Sequence, residues 1–270
     1  MTEPSQLDRY KRQLRYAPLG EEGQRRLLAS RVLVVGSGAL GCVMADTLVR
    51  AGVGFVRLVD RDFVEVDNLH RQVLFDEQDA AEQLPKAVAA ANRLERVNSS
   101  VIVEPVVADL NATNIAQLAG DVEVIVDGTD NFETRYLVND YAVANDRPWV
   151  FGGCVGTEGQ TLAIVPGETP CLSCLMPEPP PAAAQPTCET AGVLSPIVNV
   201  IASLQAIETL KLLSGNRDQL NRSMTLLDLW GNQLRLIDVS DGRSESCPTC
   251  GQRDFAWLEG RRGSAITRLC

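Results

Sequence analysis

Asn68 and Arg71 stand three residues apart in NLHRQ, with Gln72 beside them and Lys86 opening the next helical stretch. On one helical turn that spacing aims Asn68 and Arg71 into the same site. With Arg12 from the N-terminal RYKRQ they gather two or three cations, a set suited to neutralising charge during attack at phosphorus. Solvated loop charge competes as a reading of any one of these residues, and explains the set less well. VDGTDN adds Asp127 and Asp130, followed by Asn131, at the end of an apolar run. One of these carboxylates is a natural Mg²⁺ ligand, while capping the helix that begins at NFETR explains Asp130 equally well. His70 is the only histidine, which excludes most catalytic zinc sites.

GSGALG, with Gly36, Gly38 and Gly41, lies between the apolar run RVLVV and the helical CVMADTLVRAG. Backbone amides and a helix N-terminus at such a loop hold phosphate, and Asp60, ending the following FVRLVD, can accept from ribose hydroxyls. On these residues alone an NAD-dependent oxidoreductase fits, as does a protein using another nucleotide. The cationic set turns the reading toward a nucleotide that is cleaved, because a hydride carrier needs no cationic clamp. Asp62, Glu65 and Asp67 in the same loop have no assigned role.

Of eight cysteines, four form two C-x-x-C pairs, CLSC (Cys171, Cys174) and CPTC (Cys247, Cys250). Two such pairs make a closed tetrahedral site for structural Zn²⁺; a redox dithiol would not explain why there are two. Cys42 and Cys154 read as packed residues. Cys188, at the end of a proline-rich stretch, is either an exposed thiol nucleophile or an incidental loop cysteine.

These groups need a scaffold that brings distant loops together. Residues 5–29 read as a polar helical arm with a turn near Pro18. Strand and helix then alternate: strands at 31–35 and 55–60, a helix at 84–98, a strand at 101–107 that Pro105 assigns to a sheet edge, a strand at 122–130, a helix at 131–146 and a strand at 148–153. That order predicts a Rossmann-like, doubly wound α/β sheet, parallel in its N-terminal half. QTLAIV, MTLLDL and QLRLIDV are further strands, the last two joined by a hairpin-like WGN, so the C-terminal part is mixed and antiparallel. PIVNVIASLQAIETLKLLSG carries polar residues at helical spacing and reads as a buried globular helix, not a membrane span.

The composition is that of an ordinary globular protein, 45% hydrophobic and 22% charged, and the net charge of −10 argues against nucleic acid or an anionic membrane as the main partner. MTEPSQLDRYKRQ has no apolar segment, so no secretory signal is expected and a cytoplasmic location is.

RYKRQ, GSGALG, LVDRD, NLHRQ, LPK, DGTDN, CLSC, TCETAGVLSP, SLQAIETLKLLSG and CPTC occur here in one order. In that order the chain resembles the sulfur-carrier-protein adenylyltransferases of the ThiF/MoeB type, relatives of ubiquitin-activating enzymes. The resemblance implies that the loop at Gly36, Gly38, Ala39 and Gly41 holds ATP with Asp60 on the ribose. It places Asn68, Arg71, Gln72, Lys86 and Asn131 around the nucleotide, Asp130 on Mg²⁺ and the paired cysteines on structural zinc. Arg12 would reach the ATP site of the other subunit of a homodimer. Cys188 matches a cysteine that links covalently to the carrier in some relatives.

The implied reaction is ATP-dependent adenylation of the C-terminal glycine of a ubiquitin-like sulfur carrier ending in Gly-Gly, MoaD- or ThiS-like. The acyl-adenylate would then be converted to a thiocarboxylate by a separate sulfur donor, in molybdopterin, thiamine or tRNA-thiolation sulfur transfer. On this reading 1–30 is an arm, 31–155 the nucleotide-binding half, 156–255 a second half with a crossover at 175–190 and the zinc site, and 256–270 a tail, all in one adenylation domain. A non-catalytic carrier-binding scaffold with a degenerate nucleotide site is the rival from another class. Intact Arg12, Lys86 and Asp130 count against it.

Overall fold

RVLVV and FVRLV are too short for stable helices and rich in β-branched side chains. They form β1 (Arg31–Val35) and β2 (Phe55–Val59), adjacent parallel strands. Four of the five β1 residues and all five in β2 are buried, as expected where helices cover both faces of a sheet. In the computed structural model, which describes residues 7–180 and 191–263, they belong to one eight-stranded sheet in the order β3-β2-β1-β4-β5-β6-β7-β8.

The other strands are β3 (Ile102–Val106), β4 (Val124–Asp127), β5 (Trp149–Val155), β6 (Glu158–Ile164), β7 (Met224–Asp228) and β8 (Gln233–Ile237). From β3 to β5 all neighbours are parallel, and from β5 to β8 all are antiparallel. The mixed α/β sheet read from the sequence is therefore present. Pro105 lies in β3, at the sheet edge, where a missing amide costs no ladder bond.

The helices are α1 (Gly20–Ala29), α2 (Ala39–Ala51), α3 (Glu77–Ala81), α4 (Lys86–Val97), α5 (Ile115–Ala119), α6 (Phe132–Ala144), α7 (Leu172–Leu175) and α8 (Ser195–Ser214) among the described residues. Leu48 of α2, Leu94 of α4 and Ile201 of α8 join one core cluster; Tyr136 of α6, Ile115 of α5 and Leu172 of α7 join a second. α2 ends where Gly52, at φ +86°, turns left-handed and donates its amide to Leu48 and Val49, a conformation that disfavours a side chain. By length and composition α8 could cross a membrane, but 56% of its most apolar window is buried. It packs against α2 and the central strands as a core helix.

The arm differs from the helix expected at 5–29. Two 3₁₀ turns, Asp8–Tyr10 and Gln13–Arg15, precede α1. The chain bends there to bury Tyr10, whose ring occupies the space beside Gly52 and whose hydroxyl accepts from Asn98 Nδ2 at 2.9 Å. The Gln13 side chain bonds Gln24 and the Ala51 carbonyl. At the other end, the start of the tail is packed: Trp257 stacks on Tyr136 at 5.4 Å. Buried Asp140 accepts from the Trp257 amide at 2.9 Å.

Leu48 is fully buried in the α2 cluster. Leu48→Ala should lower the unfolding free energy by about 2–5 kcal/mol, read from the urea midpoint by circular dichroism.

Candidate functional site

The chain leaves β1 toward β2 and β3 on one side and returns on the other side at β4. At such a switch point, loops from the strand carboxyl ends diverge and leave a crevice. Here the Gly36 and Gly128 amides complete the strand ladders by donating to Val59 and Val35, each at 2.8 Å. The two loops then touch backbone to backbone. Gly36 has φ +89°, and a Cβ on Gly41 would lie 1.8 Å from the Gly36 carbonyl oxygen. Gly38 differs, since its missing side chain would point into the crevice with nothing nearer than Gln72 Nε2 at 3.9 Å. Gly38 also caps α2 without a side-chain hydrogen bond, so the helix offers its first amides and its positive end to an anion.

An open cavity of about 1480 Å³ occupies the crevice. Gly36, Gly38, Ala39, Asp60, Asn68, Arg71, Gln72, Lys86, Asp130 and Asn131 all line it. Gly41 sits behind the loop and makes its close turn possible. Arg12 is exposed on the arm and is not in the cavity wall; of the three cations expected from the sequence, one chain therefore brings Arg71 and Lys86 to the cavity. Cys188 lies outside the described residues.

Asp60 accepts the Ser37 amide at 2.6 Å and the Asp62 amide at 2.8 Å. Burial raises its pKa, and these two amides oppose that rise. Asn68 begins a tight turn in which the Arg71 and Gln72 amides both donate to its carbonyl at 3.0 Å. Arg71 donates to the Asp67 carbonyl at 2.9 Å and sits 2.7 Å from His70 Nε2. Asn68 donates to the Asp67 carboxylate at 2.6 Å, leaving its own Oδ1 buried and without a partner. Gln72 Oε1 is buried and orphaned too. Buried acceptors of this kind cost stability unless a donor meets them, and the hydroxyl and amino groups of a nucleotide are such donors. Lys86, 8% exposed, faces Asp62 at 3.5 Å. Of the three carboxylates left unassigned from sequence, Asp67 braces the loop and Asp62 faces Lys86, while Glu65 is exposed at the cavity wall.

Of the two readings of Asp130, the capping one is overturned, because Asn131 caps α6 by accepting the Thr134 amide at 2.8 Å. Asp130 is left exposed at the cavity wall. Asp127 is the other case: buried, it pairs with Arg135 at 2.9 Å and is not available as a metal ligand. Arg135 lines the cavity, as do Gln160, Asp228 and Arg235 on the antiparallel strands. No local pattern marks these residues, since alternation along a strand does not say which face meets a ligand. Cys42 is buried as expected, its thiol pushed up to about 12 by burial. Cys154 departs from expectation, being only half-buried and part of the cavity wall.

On the α6 side of the sheet the four paired cysteines converge, all sulfurs lying within 4.8 Å of one another. Sγ separations are 3.8 Å for Cys171–Cys174, 3.6 Å for Cys171–Cys247 and 3.2 Å for Cys174–Cys250. Tetrahedral zinc thiolate ligation needs edges of about 3.8 Å, so the donor set fits a closed metal site. Donation from the Cys171 thiol holds the Cys174 thiol below its ordinary range, while burial first pushes Cys250 up.

Fold and crevice define a doubly wound α/β protein with its ligand site at the strand carboxyl ends. The sequence matches the ThiF family over residues 10–249. It is 44% identical over 262 residues to the sulfur carrier protein ThiS adenylyltransferase of Bacillus subtilis, covering 97% of this chain and 77% of that one. It is 43% identical over 251 residues to the sulfur carrier protein adenylyltransferase of Thermus thermophilus, with 91% of each chain covered. The adenylyltransferase and sulfurtransferase MOCS3 of Arabidopsis thaliana is 38% identical, and the chain spans 53% of its length. Among solved structures, E. coli MccB with AMPCPP and MccA superposes with a TM-score of 0.78 at 25% identity, covering 91% of this chain and 75% of that one. The chain belongs to the ThiF family.

The two glycines separate binding from folding. Gly38→Val should leave the unfolding free energy within about 1 kcal/mol yet abolish calorimetric binding of a nucleoside triphosphate. Gly41→Ala, driven into the Gly36 carbonyl, should cost about 1–3 kcal/mol or more in the same denaturation assay.

Proposed function

We propose that the protein is an adenylyltransferase that uses ATP to activate the C-terminal glycine of a small ubiquitin-like sulfur carrier. The observation that carries this reading is the single cavity shared by the glycine loop, Asp60, Arg71, Lys86 and Asp130. The named activities of the Bacillus and Thermus relatives agree with it. An NAD-dependent oxidoreductase and a degenerate scaffold are both disfavoured, since neither needs two cations and an uncommitted carboxylate beside the phosphate loop.

In the reaction, Asp60 accepts from the ribose and the α2 N-terminus receives the phosphates. The carrier's terminal carboxylate attacks the α-phosphorus, the new oxygen–phosphorus bond forms and pyrophosphate leaves. Arg71 and Lys86 offset the charge that accumulates on the phosphate oxygens, where preorganised cations are worth most. Nucleotide phosphate would displace Asp62 as the partner of Lys86. Asp130 would hold Mg²⁺, which neutralises phosphate charge when bound. Arg12 of a second copy would complete the cationic set in a homodimer. The acyl-adenylate would pass to a separate sulfur donor, in molybdopterin, thiamine or tRNA-thiolation chemistry, with Cys188 the candidate thiol for a covalent link to the carrier. Location in the cytoplasm, with its nucleotide supply, fits this role.

ATP–pyrophosphate exchange should appear only with a carrier ending in Gly-Gly. Arg71→Ala and Asp130→Ala should each lower it by about 100-fold or more, with melting temperatures unchanged. No exchange with any such carrier of the same cell, or NAD retained on purification without ATP binding, would overturn the reading.

Cys171, Cys174, Cys247 and Cys250 would hold zinc in a structural role, with no open position for substrate. Metal analysis should find about one zinc per chain. Cys174→Ser should lose that metal and melt at lower temperature.

A further inference from the structure

β4 and β5 are hydrogen-bonded neighbours only at Ile125–Trp149 and Val126–Val150. β5 pairs with β6 along its whole length, from Trp149 to Val155, while β4 ends at Asp127, so beyond Val150 the sheet is open between β4 and β5 beside the cavity. Three polar side chains fill the split, all of them more than nine-tenths buried: Asp127, Arg135 and Gln205.

From α6, Arg135 donates to Asp127 Oδ2 at 2.9 Å, to the Thr129 carbonyl at 2.7 Å and to the Gly152 carbonyl at 2.8 Å. From α8, on the other face, Gln205 Nε2 donates to the Asp127 carbonyl at 2.8 Å and the Val150 carbonyl at 3.2 Å. Asp127 Oδ1 accepts the Thr129 amide at 2.9 Å and its hydroxyl at 2.7 Å. Gly152 leaves the room, since a Cβ there would lie 2.3 Å from the Gln205 side chain.

A core can be closed with apolar groups at lower desolvation cost, and a strand split needs no ion pair to fill it. What this trio adds is direction. Every bond it makes ends on β4, β5 or Thr129, and Thr129 is the residue before Asp130. The same loop leans on the phosphate loop, because a Cβ on Gly128 would lie 2.7 Å from the Gly36 carbonyl.

We infer that Asp127, Arg135 and Gln205 form a strut through the split sheet that positions the Gly128–Asn131 loop, with Arg135 and Gln205 as positioning residues for the reaction. This deepens the adenylation reading and, for its kinetic consequences, rests on it. The strut fixes Asp130 relative to the phosphate loop before any ligand arrives. Loosening it moves the carboxylate that holds Mg²⁺ while leaving the nucleotide's other contacts in place.

Arg135→Lys keeps a cation beside Asp127 but cannot span Thr129 and Gly152 together; Gln205→Leu removes the link from the opposite face and is the second variant should the first not fold. Two readouts are taken on the full chain. In hydrogen–deuterium exchange, the peptide covering 128–131 should lose protection in either variant while β1 and α4 keep theirs. In carrier-dependent ATP–pyrophosphate exchange, kcat should fall on the order of 10–100-fold and half-saturating Mg²⁺ should rise, with KM for ATP nearly unchanged. Unchanged protection of 128–131 in the folded variants overturns the strut whatever the kinetics do. Lost protection in a protein whose wild type shows no exchange activity supports the strut and counts against adenylation alone.

Discussion

Backbone-to-backbone contact between the phosphate loop and the end of β4 is the constraint on which the rest of this molecule depends. Gly36, Gly41 and Gly128 stack where a single Cβ would meet a carbonyl oxygen at under 3 Å. That contact joins the β1–α2 turn to the β4–α6 turn, so the open N-terminal end of α2 and the Asp130 carboxylate belong to one rigid corner. α2 is then held by α8, and α8 reaches through Gln205 to the far side of the same corner. Close packing of this kind transmits displacement with little loss.

Around that corner the charges are kept ready at a cost in stability. Asp60 is half-buried, Lys86 is buried, and Asn68 and Gln72 each hold an acceptor with no partner. Groups left in this state destabilise the empty protein and are relieved by a ligand that supplies the missing bonds. The opposite economy holds for Asp127 and Arg135, whose polar atoms are met within the fold. Neighbouring carboxylates in one motif thus serve different ends, one fixed in the interior and one exposed at the wall.

How much of this could be read from the sequence follows the range of the physics involved. Short apolar runs, the glycine stop at 52, the proline at the sheet edge and the paired cysteines are local signals, and each was legible. The gathering of Asp60, Asn68, Arg71, Lys86 and Asp130 was also legible, because doubly wound topology brings strand carboxyl ends together. Long-range partners were not. Nothing in VDGTDN says that Asp127 will meet a guanidinium from α6, or that Asn131 will take the capping role from Asp130. The break of the arm into two tight turns depends on a pocket for Tyr10 built by Gly52 and Asn98, which no local pattern announces. Likewise the wall supplied by Gln160, Asp228 and Arg235 follows from which sheet face the helices leave bare.

The cysteine cluster ties α7 to a segment that follows every strand of the sheet in the chain. Its neighbours Ser173 and Thr249 share a hydrogen bond at 3.0 Å, and Thr249 reaches Asp140 in α6 at 3.0 Å. Asn139 in the same helix accepts the Leu172 amide at 2.8 Å. The helix whose first turn carries the Asn131 cap and Arg135 is therefore clamped at its far end by residues made late. On the ribosome, all eight strands must emerge before that clamp can close. Bracing of the glycine-loop corner is thereby tied to synthesis of the CPTC segment, so a nascent fragment with a full set of glycine-loop residues still lacks the brace that sets them.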